Sequence, residues 1–276
     1  MNATERGVGA SAVAALLLDA YDRRTVIERI SAGDPTFDFP AAYKVLSEIE
    51  TERRSRGWRP VGRKIGFTNE KIWSFFGVSE PMWARMWDHT VTFAVDGGAS
   101  LSLEQFVQPR IEPEVVFGLA SPPPPGSSPV EALSCVSWFA AGFEIVQCHY
   151  PDWRFTASEA TAAFGLHGAL VVGTSVPVTE RNISALAATM ATFKVTLSCN
   201  GEITAQGNGR DVLGSPIHAL DHLARLLAQQ SQFEPLATGE IITTGTLTDA
   251  PPIAAGDSWT SDYGELNIEG LTLTFA

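Results

Sequence analysis

Two glutamates flank a proline in Arg110-Ile111-Glu112-Pro113-Glu114-Val115-Val116-Phe117. In an extended strand, side chains two apart share a face. Arg110, Glu112 and Glu114 therefore point one way, and Val115 and Phe117 point the other, into a core. Carboxylates held side by side repel unless something neutralises them. A divalent cation does this, and so does a shared proton. Pro113 argues for a sheet edge or a bend. Taken alone, the pattern also suits a solvated edge strand with Arg110 as ion-pair partner. Glu144 narrows the choice, because it interrupts the apolar run from Trp138 to Val146, where a lone carboxylate is costly unless paired or ligating. Three carboxylates with no matching His or Cys cluster make a hard oxygen site, suited to Mg2+ or Mn2+ rather than Zn2+.

Lys64 is the next candidate, in Gly62-Arg63-Lys64-Ile65-Gly66-Phe67. Its same-face neighbours are glycines, which predicts room for something to approach. A lysine beside a cation has a lowered pKa and can shuttle protons. His149 and His167 are candidates for acid/base work, since histidine titrates near neutral pH. His89, His218 and His222 read as structural.

These residues need elements to hold them. The first sixty residues read as helical. Val13, Leu16, Leu17, Ala20 and Tyr21 mark one apolar face. A second helix is expected from about Pro40 to Arg56, closed by Gly57. After Trp58, strands are expected at Lys64–Phe67, Val91–Val95, Glu112–Phe117, Trp138–Gln147, Ala169–Val172, Thr192–Ser198, Glu240–Thr244 and Leu271–Phe275. Asp96-Gly97-Gly98 reads as a hairpin turn. Ser128-Pro129-Val130-Glu131 is a capping box that starts a helix, and another helix runs from Pro216 to Gln229. The fold class is α+β: a small helical N-terminal region over residues 1–60, then a mostly β catalytic part over 61–276.

Bulk properties exclude some classes. The net charge is −12, with 18% charged and 45% hydrophobic residues. Without a basic face, nucleic acid and anionic membrane are poor partners. The acidity also repels an anionic substrate at long range, which a cation in the site would offset. Cys135, Cys148 and Cys199 form no CxxC pair, so a disulfide framework and a thiolate zinc site are not expected. No apolar run approaches the roughly 20 residues of a membrane helix. Acidic Glu5 and the lack of a basic leader do not read as a signal peptide, so a cytoplasmic location is expected. No nucleotide-binding fingerprint is present.

Together the segments resemble the fumarylacetoacetate hydrolase superfamily, and within it the 2-keto-4-pentenoate hydratase and 4-oxalocrotonate decarboxylase branch. The resemblance runs from about Val61 to the C-terminus. It is carried by Lys64-Ile65-Gly66-Phe67-Thr68, Arg110 to Glu114, Phe143-Glu144-Ile145-Val146, Asp152-Trp153, His167 to Gly173, Leu213-Gly214-Ser215-Pro216, Gly239 to Thr246 and Ala255-Gly256-Asp257. It implies a mixed β-sandwich roll and homo-oligomers. It implies Glu112, Glu114 and Glu144 as ligands of Mg2+ or Mn2+, Lys64 as acid/base, and Asp88 as a further acidic site residue. The implied activity is hydration of a 2-hydroxydienoate or 2-oxo-enoate. The alternatives are decarboxylation of a 2-oxo diacid, carbon–carbon hydrolysis of an acylpyruvate, and binding of such an acid without turnover. The sequence departs from the branch in two places. Gln147-Cys148-His149 stands where a serine and arginine are usual. Ala162-Ala163-Phe164-Gly165-Leu166, followed by His167, stands where an Ala-Asp-Asn-Ala-Ser run is usual.

Overall fold

The computed structural model describes residues 9–276, so Glu5 lies outside the described residues. Helix α1 (Ala10–Arg23) and α3 (Phe39–Ser55) form from the two periodic stretches, with a single turn, α2 (Ile30–Gly33), between them. Val13, Leu17 and Ala20 are buried as expected, whereas Leu16 is 45% exposed. The buried stripe runs through Val13, Ala14, Leu17 and Leu18, which turns Leu16 outward. The Asp38 carboxylate caps α3 by accepting the Ala41 N–H at 2.9 Å. Arg53, in the last turn of α3, is buried. Its guanidinium lies 4.4–4.6 Å from the ring centres of Tyr21, Trp58 and Phe164. Cation–π attraction and packing therefore hold it, as well as any pull from the helix end.

The remaining chain supplies thirteen strands and five short or medium helices among the described residues. Strands β1 (Pro60–Gly66), β2 (Met82–Trp87), β3 (Val91–Phe93), β5 (Arg110–Leu119), β6 (Val136–Val146), β7 (His167–Val172), β8 (Val176–Pro177) and β11 (Ile241–Thr243) build one mixed sheet. Its order is β2-β1-β11-β5-β6-β7-β3, with β8 added to β6. Strands β4 (Gly98–Leu101), β9 (Lys194–Cys199), β10 (Glu202–Asn208), β12 (Ser258–Asp262) and β13 (Thr272–Phe275) build the second, in the order β10-β9-β12-β13-β4. The helices are α4 (Trp73–Phe76), α5 (Pro129–Ser134), α6 (Ala157–Ala162), α7 (Ile183–Thr189) and α8 (Pro216–Ala228). The capping box at Ser128 and Glu131 is formed in full. Ile111, Val115, Phe117, Phe143 and Ile145 of the first sheet share a core with Val195, Leu197 and Trp259 of the second.

The expected turn at Asp96-Gly97 forms, with both residues at positive φ. Val95 and Gly98 exchange N–H···O bonds of 3.0 Å. It does not close a hairpin within one sheet, however. It passes the chain from β3 in the first sheet to β4 in the second. The eight expected strands are present with shifted ends. Strands β2, β4, β8, β10 and β12 were not expected from the sequence. Every residue of β2 is buried, so the strand lacks the alternation that marks a half-exposed one.

Pro113 corrects the expected edge position, because β5 is central, between β11 and β6. The β11 ladder reaches only Val116. Beyond it, the Leu247 N–H donates to the Pro113 carbonyl at 3.0 Å. Pro113 therefore faces the side where the neighbouring strand has ended, and its missing N–H leaves no ladder bond unmade.

Candidate active site

Antiparallel pairing of β5 with β6 sets Glu112 directly opposite Glu144 and Glu114 opposite Gly142. Like charges opposite each other in a sheet are destabilising. Here a third carboxylate is added, and all three can place an oxygen within 4.8 Å of the others. Glu114 and Glu144 are fully buried. Oε2 of Glu114 accepts the Gly245 N–H at 2.7 Å, while its Oε1 has no hydrogen-bond partner. An orphaned, buried carboxylate oxygen aimed among two other carboxylates fits a divalent-cation site.

Alternation along β1 sends Lys64 into this cluster and Arg63 to the opposite side. Arg63 is buried there against Glu240 at 2.8 Å. Lys64 Nζ lies 3.1 Å from Oε2 of Glu144. Burial disfavours its ammonium, but Glu144, Glu112 and Glu114 outweigh burial and raise the lysine above its ordinary value. That balance holds for three carboxylates around one amine with no cation between them, whereas the expected lowering is for a lysine beside a bound cation. Among those carboxyls, burial raises both Glu112 and Glu114. Burial opposes ionisation of Glu144 too, yet Lys64 and the His167 hydrogen bond overcome it and lower its pKa. One carboxylate thus carries the charge that Lys64 balances, and the other two favour a proton or a cation.

Of the glycines beside Lys64, Gly62 leaves no room for a ligand, contrary to expectation, whereas Gly66 lines a cavity beside the lysine. A Cβ on Gly62 would stand 1.9 Å from the Ile241 carbonyl oxygen. A Cβ on Gly66 would stand 2.6 Å from the Met82 methyl. The first glycine permits close strand pairing, and the second permits side-chain packing.

His167 is brought to the cluster, 2% exposed. A register shift between Ile145 and Val146 precedes its pairing with Val146, and its Nδ1 lies 2.7 Å from Oε1 of Glu144. Nε2 lies 2.9 Å from the Thr90 hydroxyl. Burial lowers the imidazole pKa, with Glu144 opposing. A neutral ring beside an ionised Glu144 donates from Nδ1 and accepts at Nε2. His149 is not brought to the site. Its Nδ1 meets the Thr25 carbonyl at 3.0 Å, and the ring packs near Tyr21 and Phe164. Asp88 is also engaged elsewhere: it accepts from the Arg59 N–H and guanidinium at 3.1 and 3.0 Å and lies 2.7 Å from His89. The Arg59 contacts hold its carboxyl below the usual range. Arg110 stacks over Trp153 at 4.5 Å and donates to the Ala250 carbonyl at 3.1 Å.

Three participants escaped the sequence reading. Gly245 supplies the N–H for Glu114, Thr90 backs His167, and the Tyr263 hydroxyl donates to the carbonyls of Glu114 and Gly142 at 2.8 and 3.2 Å. Gly245 lies in a quoted segment, but nothing in a sequence tells which amide faces a carboxylate. It adopts φ +96°, and a Cβ there would stand 1.9 Å from the Thr68 hydroxyl. Gly245→Ala is therefore expected to cost at least about 1–3 kcal/mol of stability from backbone strain, read as a lowered unfolding midpoint in urea.

Lys64 and Glu112 open onto a cavity of about 200 Å³, whose wall also includes Phe67, Phe76, Trp153 and Phe155. Mixed curled sheets with this buried carboxylate cluster define a fold, and comparison identifies it. Residues 81–270 match the profile described as fumarylacetoacetate (FAA) hydrolase C-terminal. The chain belongs to the fumarylacetoacetate hydrolase family. It is 32% identical to a 4-oxalocrotonate decarboxylase from Pseudomonas sp, over 82% of this chain and 83% of the relative. It is 27% identical to the 2-hydroxyhexa-2,4-dienoate hydratase of Comamonas testosteroni, over 92% of each. The solved 4-oxalocrotonate decarboxylase from Pseudomonas putida G7, complexed with magnesium and adipate, superposes with a TM-score of 0.88. That match covers the whole of both chains at 25% identity. Among the described residues, no helix is long and apolar enough to cross a membrane.

Proposed function

We propose that this protein is a divalent-cation-dependent lyase that adds water to a 2-hydroxydienoate or its 2-oxo-enoate tautomer. The observation that carries the reading is the convergence of Glu112, Glu114 and Glu144 beside Lys64, with Lys64 and Glu112 lining a cavity. The three carboxylates would hold Mg2+ or Mn2+, whose charge favours the enolate form of a 2-oxo acid. Lys64 Nζ moves the proton. In the dienol, a proton leaves the 2-hydroxyl and arrives at the terminal carbon. Water then adds its hydroxyl to C4 and its proton to C3. The apolar wall keeps bulk water from the reacting carbons. The test is loss of the ultraviolet absorbance of 2-hydroxypenta-2,4-dienoate with Mg2+, and again with a chelator. Absorbance that persists in both arms sinks the reading.

Decarboxylation of a 2-oxo diacid is the second reading, favoured by the relative at 32% identity. Release of CO2 separates the two reactions.

His167 enters as a positioning residue rather than a proton donor to substrate, because both ring nitrogens are engaged within the protein. It orients Glu144, whose ionised carboxylate in turn fixes the Nδ1–H tautomer, and Thr90 sits at Nε2. His167→Ala is expected to weaken Mn2+ binding about 10- to 100-fold. His167→Asn, which keeps an amide N–H toward Glu144, should recover most of that loss. The measurement is calorimetric titration with Mn2+, and equal affinity in the wild type and the alanine variant would overturn the role.

A further inference from the structure

The far wall of the cavity carries a second message. Of the residues that line it, only Lys64 and Glu112 ionise, and both sit at the carboxylate cluster. Away from them the wall is mostly apolar, with Phe67, Ile72, Phe76, Trp153, Phe155 and Leu166, and its polar side chains, Thr68, Asn69 and Thr246, are uncharged. The rings are ordered against one another. Phe76 stacks on Phe155 at 5.6 Å with an interplanar angle of 8°, and Phe67 packs on Phe76 at 5.1 Å. The indole N–H of Trp153 is spent on the Gln108 carbonyl at 2.9 Å, so the ring offers the cavity no donor. Two nearby cations are committed elsewhere, and Arg154, between Trp153 and Phe155, is exposed and does not line the cavity. Arg110 donates to Ala250, and Lys71 pairs with Asp211 at 2.7 Å.

We propose that the substrate is a 2-oxo acid or dienol whose remote end is a short alkyl or aryl group, rather than a second carboxylate. The inference rests on the reading that the carboxylate cluster and Lys64 handle a 2-oxo acid. A second carboxylate pushed against these rings would lose its water without gaining a cation from the lining. An apolar tail would instead cover the aromatic wall. The volume is below the roughly 300–1,000 Å³ of pockets for drug-sized ligands, which limits the tail to about one ring. The altered stretch before His167 contributes to this wall, since Gly165 and Leu166 both line the cavity.

The test is calorimetric titration of the Mg2+-loaded protein with two 2-oxo acids of equal chain length, one ending in a phenyl or alkyl group and one in a carboxylate. The apolar-ended acid should bind at least about tenfold more tightly, since a single methylene in such a pocket gives discrimination of that order. Phe155→Arg, which places a cation at the wall, should reverse the order. Tighter binding of the diacid by the wild type overturns the inference while leaving the lyase reading intact. Binding of neither acid overturns the assignment of the site to 2-oxo acids, and this inference with it. Turnover of matched dienols, measured in parallel, then reports on the lyase reading alone.

Discussion

Lys64→Met should cut turnover by about 10²- to 10⁴-fold, the usual contribution of a positioned proton-transfer group. Mn2+ binding should persist, because the three carboxylates remain. The same substitution removes the amine 3.1 Å from Glu144. Breaking a buried pair leaves an uncompensated charge and costs about 3–5 kcal/mol. The cation-free variant should therefore unfold at lower denaturant, and Mn2+ should restore more of its stability than it adds to the wild type. The pH dependence has a definite sign. The folded pKa of Lys64 is raised, so its stabilisation is complete below the unfolded value of 10.5 and fades only as pH climbs through the higher folded value. The deficit of the variant should thus be level between pH 7 and 9. Urea unfolding at several pH values checks this, and a deficit that vanishes by pH 8 would mean that burial, not the carboxylates, dominates Lys64.

Glu114→Gln separates binding from folding in the opposite way. The amide oxygen can still accept the Gly245 N–H, but the site loses a ligand charge. Affinity for Mn2+ should fall by more than about 100-fold, beyond what loss of a supporting hydrogen bond costs. Stability without cation should move the other way. The folded pKa of Glu114 is raised well above 4.5, first by burial and then by its two carboxylate neighbours. The folded wild type therefore keeps a proton that the unfolded chain has released. Its stability declines as pH rises from about 4.5 toward the folded value. The glutamine variant has no such loss at this position and should be at least as stable as wild type near pH 7. The same protons must leave when a cation binds, so wild-type affinity should climb with pH. Glu112, pushed up to about 7, contributes to that climb. Titration calorimetry across pH 5–8, with urea unfolding in chelator, reads both quantities. Unchanged Mn2+ affinity in the glutamine variant would overturn the ligand assignment.

The parts legible in the sequence were those governed by local rules. Period-two geometry put Glu112 and Glu114 on one face, and periodicity placed α3 and α8. What escaped depends on chain segments far apart. The facing of Glu112 and Glu144 follows from the β5–β6 register, which no single strand reveals. Gly62 looked like space for a ligand because its partner, the Ile241 carbonyl, is 179 positions away in sequence. The lowering expected for Lys64 belongs to the cation-loaded site, while the carboxylates that raise it without a cation lie on β5 and β6, far from it in sequence. Asp88 was carried over from a loosely matching loop, where Arg59 engages it. His167 was noticed as a histidine in an apolar stretch, but its partners Glu144 and Thr90 became visible only once β6 and β7 were paired.

The N-terminal helices also bear on how such a site can change. Val13, Leu17, Val45 and Ile49 share an apolar cluster with Tyr150, Ala163 and Phe164. The next residues, Gly165 and Leu166, are cavity wall. Gly165 comes close enough to the Lys64 stem that an added Cβ would stand 3.0 Å from Cδ. Selectivity can thus drift through substitutions in α1 or α3 that never meet the substrate, because they tilt the wall from its hidden side. A mutational screen confined to cavity-facing positions would overlook them.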